Sequence, residues 1–324
     1  MRVAILADIH GNLPACEAVL EDIARSVAPD YIVAAGDLAL RGAHPRETVD
    51  LLFDRCDSVL MGNTDCYLAG NYLGGAYRER DHWKTELLRW TRDQLGGELL
   101  TKLGALPFSV RYTPRKGQDL FVCHANPRNL EESLDPTLDD VAVRRYFNHL
   151  DAAACAFGHL HFPYRRRVGR MLIADVASAG IPRDGDLRPA YGVFTFTPKG
   201  WRVQIRRVRY PVRKATQALT ARRVPGGPLL IHKLVEARYR HHTALLEAAR
   251  RHSGLPPPVG PVLRPPPGAA SRNSLAAPLD GGRPPPDVDT DTGSIDTGSL
   301  PADLEGSVAD ASQLPLDSMN DLDG

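Results

Sequence analysis

Through the first 160 residues, short apolar runs rich in β-branched residues alternate with stretches whose apolar positions recur every three or four residues. That alternation predicts strands exchanging with helices in an α/β layer structure. Strands are predicted at Val3–Ala7, Tyr31–Ala35, Val59–Met61, Leu120–Cys123 and Ala153–Phe157. Between the first two, Asn12 is placed to cap a helix that has Pro14 in its first turn and Ala18, Val19 and Ile23 at helical spacing. Pro45 opens another helix in the same way, with Val49, Leu52 and Phe53 turned inward. Trp83, Leu87, Leu88, Trp90 and Leu95 also follow helical spacing, so residues 66–105 read as a helical segment inserted between strands, its aromatics serving packing.

After residue 170 strand follows strand: Met171–Val176, Tyr191–Phe196 and Trp201–Val212, the last with Val203, Ile205 and Val208 separated by polar and charged residues. This predicts an antiparallel second sheet with one wet face, followed by an amphipathic helix over Leu229–Arg251. Residues 1–252 are expected to form the folded domain. Proline runs at 256–258 and 265–267 then give way to an acidic stretch rich in Ser, Asp and Gly, so residues 253–324 are predicted to be disordered. Two Asp-Thr-Gly-Ser copies, Asp291–Ser294 and Asp296–Ser299, match the aspartic-protease signature. Lying five residues apart in a low-complexity tail, they lack the two folded lobes that such a dyad requires.

Composition adds limits. With 324 residues, 43% hydrophobic and 24% charged, the chain can bury a core without staples. Asp8 breaks the N-terminal apolar run too early for a signal peptide or membrane span, so the run reads as a buried first strand. The five cysteines are odd in number and lack CxxC spacing, as expected of reduced thiols in a cytoplasmic protein. From Ser253 onward eleven acidic residues face three arginines, a net charge of −8, so residues 1–252 carry +9. A basic body suits an anionic substrate; scattered surface arginine is the plainer explanation.

Five short clusters, each directly after a predicted strand, hold the candidate chemistry: Asp8-Ile9-His10-Gly11-Asn12, Gly36-Asp37, Gly62-Asn63-Thr64-Asp65, His124-Ala125-Asn126 and Gly158-His159-Leu160-His161. The carboxyl ends of neighbouring strands meet at one sheet edge, where residues distant in sequence converge. Carboxylate, amide and imidazole ligands together suit divalent Mn, Fe, Zn, Ni or Mg rather than a thiolate site, with manganese the first expectation. If Asp37 bridges, two ions can sit roughly 3.5–4 Å apart, share a hydroxide and clamp an in-line displacement at phosphorus. Gly36, Gly62 and Gly158 are expected to let the chain turn sharply before each ligand.

These clusters, in this order, resemble the calcineurin-like metallophosphoesterase superfamily: Asp-x-His, Gly-Asp, Gly-Asn-x-Asp, His, Gly-His-x-His. The resemblance spans about residues 1–212 and is nearest to a small bacterial branch of phosphodiesterases and diadenosine-tetraphosphatase-like proteins. Trp90-Thr91-Arg92-Asp93-Gln94-Leu95, Ile181-Pro182-Arg183-Asp184-Gly185-Asp186 and Tyr210-Pro211-Val212 are similar to that branch as well. The resemblance implies a four-layer sandwich of two mixed sheets face to face with helices outside. It also implies that Asp8, His10, Asp37 and His161 hold one ion, and Asp37, Asn63, His124 and His159 the other. Two positions depart from the pattern. Thr64 stands where many members carry a histidine that protonates the leaving group, and Asp175-Val176-Ala177-Ser178-Ala179-Gly180 replaces the Asn-Pro-Gly-Ser of close relatives.

The expected function is therefore dinuclear-metal hydrolysis of phosphate esters, diesters or activated esters foremost, with Asp37, Asn63 and His124 the catalytic candidates. A phosphorylated small molecule or nucleotide is the expected substrate; nucleic acid is not indicated, and no membrane partner is expected. Arg41, in a stretch similar to the Asp-Arg-Gly of protein phosphatases but with Leu40 for the Asp, is a candidate phosphate contact or an ordinary surface arginine. Asn12 is a candidate substrate contact or only a helix cap. Arg165-Arg166-Arg167 reads as an exposed strand edge. Two alternatives stand: a protein-interaction module on the same fold, as in a retromer subunit whose metal site is degraded, and a serine/threonine-type phosphoprotein phosphatase.

Overall fold

The apolar run after Arg2 forms β1 (Arg2–Leu6), which pairs in parallel with β2 (Tyr31–Ala35); β2 in turn pairs with β3 (Ser58–Leu60). The computed structural model describes residues 1–70, 82–238 and 243–253. Parallel neighbours need crossovers, and two helices supply them. In α1 (Leu13–Ser26) the Asn12 side chain accepts from Ala15 N–H, Pro14 occupies the first turn, and Ala15, Cys16, Val19, Leu20 and Ile23 face inward. The second, α2 (Pro45–Arg55), buries Val49 and Leu52, whereas Phe53 is exposed, contrary to its inward assignment.

Beyond β3 come α3 (Asn63–Ala69) and α4 (His82–Gly104), which turns sharply at Gly96, where φ is 73°. A second sheet is then built from β4 (Ser109–Tyr112), β5 (Leu120–Cys123), β6 (Ala154–Phe157), β7 (Tyr164–Val168) and β8 (Met171–Asp175), with α5 (Asp140–Tyr146) between β5 and β6. The chain returns through β9 (Ala190–Thr197) and β10 (Gly200–Arg207) and closes with α6 (Val212–Ala221), α7 (Gly227–Glu236) and α8 (Thr243–Ser253).

Strand order is β10-β9-β1-β2-β3 in the first sheet and β4-β5-β6-β8-β7 in the second, and each mixes parallel and antiparallel pairs. Inner faces of both meet in one apolar layer that includes Val3, Ile5, Val33 and Phe194 from the first sheet and Leu120, Val122, Ala156 and Ala174 from the second. Outside the first sheet, Leu6 and Ala34 pack with α1, α2 and α4; outside the second, Phe121, Cys155 and Ile173 pack with Val143 of α5 and Ala249 of α8. The result is a four-layer sandwich of two mixed five-stranded sheets flanked by helices. Among the described residues no helix is long and apolar enough to cross a membrane.

Several expectations change. The strands after residue 170 do not form a sheet of their own: β8 completes the second sheet, while β9 and β10 join the first, with Val3 opposite Phe194. β1 has only one parallel partner, and the returning hairpin satisfies its other edge. The strand expected to reach Val212 stops at Arg207, since Pro211 precedes the first turn of α6. The single helix expected over Leu229–Arg251 is two, because Ala237 adopts a left-handed conformation, φ 49°, and ends α7. In β7 burial alternates, so Arg165 and Arg167 are exposed but Arg166 points inward and pairs with Asp140 at 2.9 Å. Ser253, assigned to the tail, is buried at the end of α8; residues 254–324, predicted disordered, lie outside the described residues.

Phe194 is fully buried where the two sheets face each other. Phe194→Ala should destabilise the fold by about 3–5 kcal/mol. Chemical denaturation reads this as a lowered midpoint, and a loss under about 1 kcal/mol would contradict the two-sheet core.

Candidate metal centre

Asp8 and His10 leave β1, Asp37 leaves β2, Asn63 follows β3, His124 follows β5, and His159 and His161 follow β6. All seven predicted ligands therefore gather at the carboxyl ends of five strands, β1, β2 and β3 of the first sheet and β5 and β6 of the second. Bending side chains inward at such ends requires unusual backbone. Asp8, His10, Asp37, His159 and His161 adopt φ of 53°, 51°, 56°, 75° and 61°. Non-glycine residues there cost on the order of 1–3 kcal/mol each, so surrounding bonds must hold them.

Those bonds are specific. The buried Asp65 carboxylate accepts the N–H groups of Asp37 (2.8 Å), Leu38 (3.0 Å) and Gly62 (2.9 Å), clamping the β2 and β3 loops together. Ser178 Oγ donates to Asp8 O (2.7 Å) and accepts from the N–H of Ile181 (2.7 Å). Gly36 does turn sharply, with φ of 87°. Gly62 and Gly158 have another cause: a Cβ would lie 2.3 Å from the Asp37 carboxylate at the first and 2.5 Å from that of Asp8 at the second. The departure at Asp175–Gly180 is built to the same end, since Asp175 accepts Ala177 N–H at 2.7 Å and Ser178 reaches Asp8. Sequence reading gave Asp65 and Ser178 no role. Asp65 carried a signal, three residues after the Gly62 that starts its helix, whereas Ser178 carried none.

The donor set fits divalent cations. His10 Nδ1 bonds Leu40 O at 2.8 Å, and His161 Nδ1 bonds Ile181 O at 2.9 Å. A carbonyl only accepts, so each Nδ1 carries the proton and both Nε2 atoms present lone pairs to each other at 3.2 Å. His124 repeats this, its Nδ1 on Ala35 O at 2.9 Å and its Nε2 3.1 Å from Asn63 Oδ1. His159 Nδ1 lies 3.3 Å from the same His124 Nε2. Acceptor faces acceptor between His10 and His161 and between His124 and Asn63, an arrangement that a cation between them would stabilise. Asp8 Oδ1 is buried without a hydrogen-bond partner among the described residues, 3.4 Å from His161 Nε2. Asp37 places Oδ2 3.5 Å from His10 Nε2 and Oδ1 3.5 Å from His124 Nε2. Ligand atoms of Asp8, His10 and His161, and those of Asp8, Asp37 and His124, each fall within 4.8 Å of one another.

Electrostatics agree. Burial, then the charges of Asp37 and Asp175, pushes the Asp8 pKa well above the ordinary carboxylate range. Burial and Asp37 push Asp65 up to about 8 against the pull of its three N–H bonds. Burial lowers His10, with His161 and Arg41 adding; it lowers His161, with Arg183 adding; and with His124 it takes His159 down to about 4. All three rings are thus neutral near pH 7, as metal ligation would require. Arg41 sits half-buried beside this group at φ 87°, its charge opposing protonation of Asp8 and His10. Asn12 spends its oxygen on the cap of α1 and donates its amide to Gly180 O at 2.7 Å, bracing the loop that Ser178 holds. Asn63 and His159 are partly exposed while Asp8, His10, Asp37, His124 and His161 are buried, so the Asn63 and His159 side is the open one.

Comparison with known proteins bears on this geometry. The calcineurin-like phosphoesterase family model matches residues 1–163. An uncharacterized protein of Methanocaldococcus jannaschii is 31% identical over 242 residues, covering 69% of this chain and 93% of the relative. A symmetrical bis(5'-nucleosyl)-tetraphosphatase of Vibrio campbellii is 31% identical over 127 residues, 39% of this chain and 44% of that protein. Among solved structures, a metallophosphoesterase from Sphaerobacter thermophilus superposes with a TM-score of 0.60 at 26% identity, covering 73% of this chain and 99% of that one. A hypothetical protein from Pyrococcus horikoshii gives 0.62 at 18% identity, covering 73% and 98%, and shares the fold.

The charges set a pH dependence. Asp8 and Asp65 keep protons in the folded state that the unfolded chain has already released, so each rise in pH costs folded stability up to about 8. The lowered histidines act oppositely, but only below their unfolded value of 6.5. After chelation the thermal midpoint should therefore fall between pH 6.5 and 8, and saturating Mn²⁺ should abolish the fall. A chelated protein whose midpoint climbs through that window would contradict the assignment.

Proposed function

This chain belongs to the calcineurin-like phosphoesterase family and is a metallophosphoesterase, and from that premise we propose that it hydrolyses phosphodiesters or activated phosphate esters with two divalent ions flanking Asp37. The observation that carries the two-ion reading is the Asp37 carboxylate, whose two oxygens face two different histidines, His10 and His124, at 3.5 Å each. In this reading Asp8, His10, Asp37 and His161 hold one ion, and Asp37, Asn63, His124 and His159 the other. Divalent ions, manganese foremost, would supply Lewis acidity toward a phosphoryl oxygen and a water of lowered pKa.

The protein's own contribution is placement. With His10, His159 and His161 neutral, the carboxylates of Asp8 and Asp37 are the anionic ligands, which leaves a net positive centre for a phosphate. Substrate approaches from the open side, past Asn63 and His159, with Arg41 the proposed phosphate contact. His124, held by Ala35 O, would help hold the second ion, whose charge would offset the negative charge developing on the phosphoryl group. Thr64 does not act as an acid: it is 1% exposed, its N–H is given to Asp37 Oδ1 at 2.9 Å, and its hydroxyl oxygen is buried without a partner among the described residues. Leaving groups must then depart with little protonation, which favours aryl esters, diesters and polyphosphates. Likeness to a dinucleoside tetraphosphatase over part of its length supports a nucleotide substrate, and five free thiols suit a reducing cytoplasm.

Bis(p-nitrophenyl) phosphate should be hydrolysed with Mn²⁺ and not after chelation. Asp37→Asn should lower kcat/KM by about 100-fold or more, ~2.7 kcal/mol of barrier. Release of p-nitrophenolate at a rate indifferent to chelator would overturn the proposal.

A further inference from the structure

One acidic side chain beside the ligands has no place in the ligand set. Glu131 ends a tight loop after β5, and two asparagines build that loop. Asn126, fully buried, accepts the N–H groups of Arg128 (2.7 Å) and Asn129 (3.0 Å) and donates its amide to Glu132 O (2.6 Å). Asn129 Oδ1 accepts the N–H groups of Glu131 (3.0 Å) and Glu132 (2.8 Å). Hydrogen bonds, rather than apolar packing, thus fix where Glu131 starts.

Its carboxylate reaches α3. The Tyr67 hydroxyl donates to Glu131 Oε1 at 2.5 Å, and the Asn63 amide nitrogen lies 3.3 Å from the Tyr67 hydroxyl oxygen and 3.5 Å from Glu131 Oε2. At the other end of the same amide, Asn63 Oδ1 faces His124 Nε2 at 3.1 Å. The main chain of Glu131 also hydrogen-bonds the His159 ring.

Direction matters because the two ends of a carboxamide are unlike: its oxygen can ligate a cation and its NH₂ cannot. Tyrosine alone sets no direction, since a hydroxyl both donates and accepts. An ionised carboxylate only accepts, so Glu131 makes Tyr67 a donor toward itself and leaves the Tyr67 oxygen to receive the Asn63 NH₂. Inverting the amide would face Asn63 Oδ1 toward Glu131 and its NH₂ toward the ligand group, which is unfavourable at both ends.

We propose that Glu131 is a positioning residue that, through Tyr67 and directly, holds the Asn63 amide with its oxygen toward the second ion, while its main chain steadies His159. The inference rests on the two-ion reading. Calorimetric titration with Mn²⁺ tests it without recourse to activity. Wild type should take up two ions; Glu131→Gln, equal in size but no longer acceptor-only, should keep the first and bind the second about 10- to 100-fold more weakly. Electron paramagnetic resonance at two equivalents should change accordingly from a coupled Mn pair to isolated ions. In an Asn63→Asp background both ends of the side chain are oxygen, so orientation ceases to matter and Glu131→Gln should not weaken the second ion. Equal weakening in both backgrounds, or Glu131→Gln binding both ions as wild type does, overturns the role. Wild-type uptake of fewer than two ions overturns the two-ion reading and this inference together. If Glu131→Gln does not fold, Tyr67→Phe, which keeps the direct carboxylate contact, should give a smaller loss in the same titration, and no loss would count against the relay.

Discussion

Lone pairs aimed at one another repel, and the structure depends on a backbone stiff enough to aim them anyway. His10 and His161 face Nε2 to Nε2, and His124 faces Asn63 Oδ1, because each ring is anchored from behind by a main-chain carbonyl. Anchoring the rings is useful only if the loops carrying them cannot relax, and five ligands lie in the left-handed region. Three N–H bonds to Asp65, together with the Ser178 bonds to Asp8 and Ile181, supply the restraint. Strain at the centre and hydrogen bonds around it are two sides of one design, and a divalent cation is the natural recipient of the convergent electron pairs.

The four-layer sandwich follows from the same demand. Ligands from β1, β2 and β3 must meet ligands from β5 and β6, so two sheets have to present their carboxyl ends to a common edge. An apolar layer of small and branched residues such as Val3, Val33, Ala156 and Ala174 keeps the sheets close. The helices then do more than cover the outer faces. Arg183, following the Ile181 that orients His161, donates to Lys233 O near the end of α7, so elements beyond the matched region are tied to the ligand loops.

Aligned with strand ends, a sequence of Asp-x-His, Gly-Asp, Gly-Asn-x-Asp, His and Gly-His-x-His was enough to name the seven candidate ligands that the fold brings together, because metal ligation requires particular atoms and their residue types are few. β2 and β5 were legible to the residue, being short apolar runs bounded by polar ends. Helices α5 and α6 were not, and of α3 only the end fell within the helical segment read over 66–105: α3 and α5 have seven residues each, too short for a periodicity, and α6 begins where a charged strand pattern was still running.

What composition and spacing determined is the candidate chemistry: which carboxylate, amide and imidazole groups stand at the strand ends, and that no histidine stands at position 64. Tertiary structure decided what those groups do to one another. Sheet membership of β9 and β10 depended on a free edge of β1, which no local pattern announces. Gly62 and Gly158 are required by carboxylates from other strands, and Asn12 proved to be a brace because Gly180, far along the chain, comes within 2.7 Å. The direction of the Asn63 amide likewise depends on Tyr67 and on Glu131 across the loop. Local sequence can specify a ligand's identity; its orientation is set by partners that only folding brings within a hydrogen bond's reach.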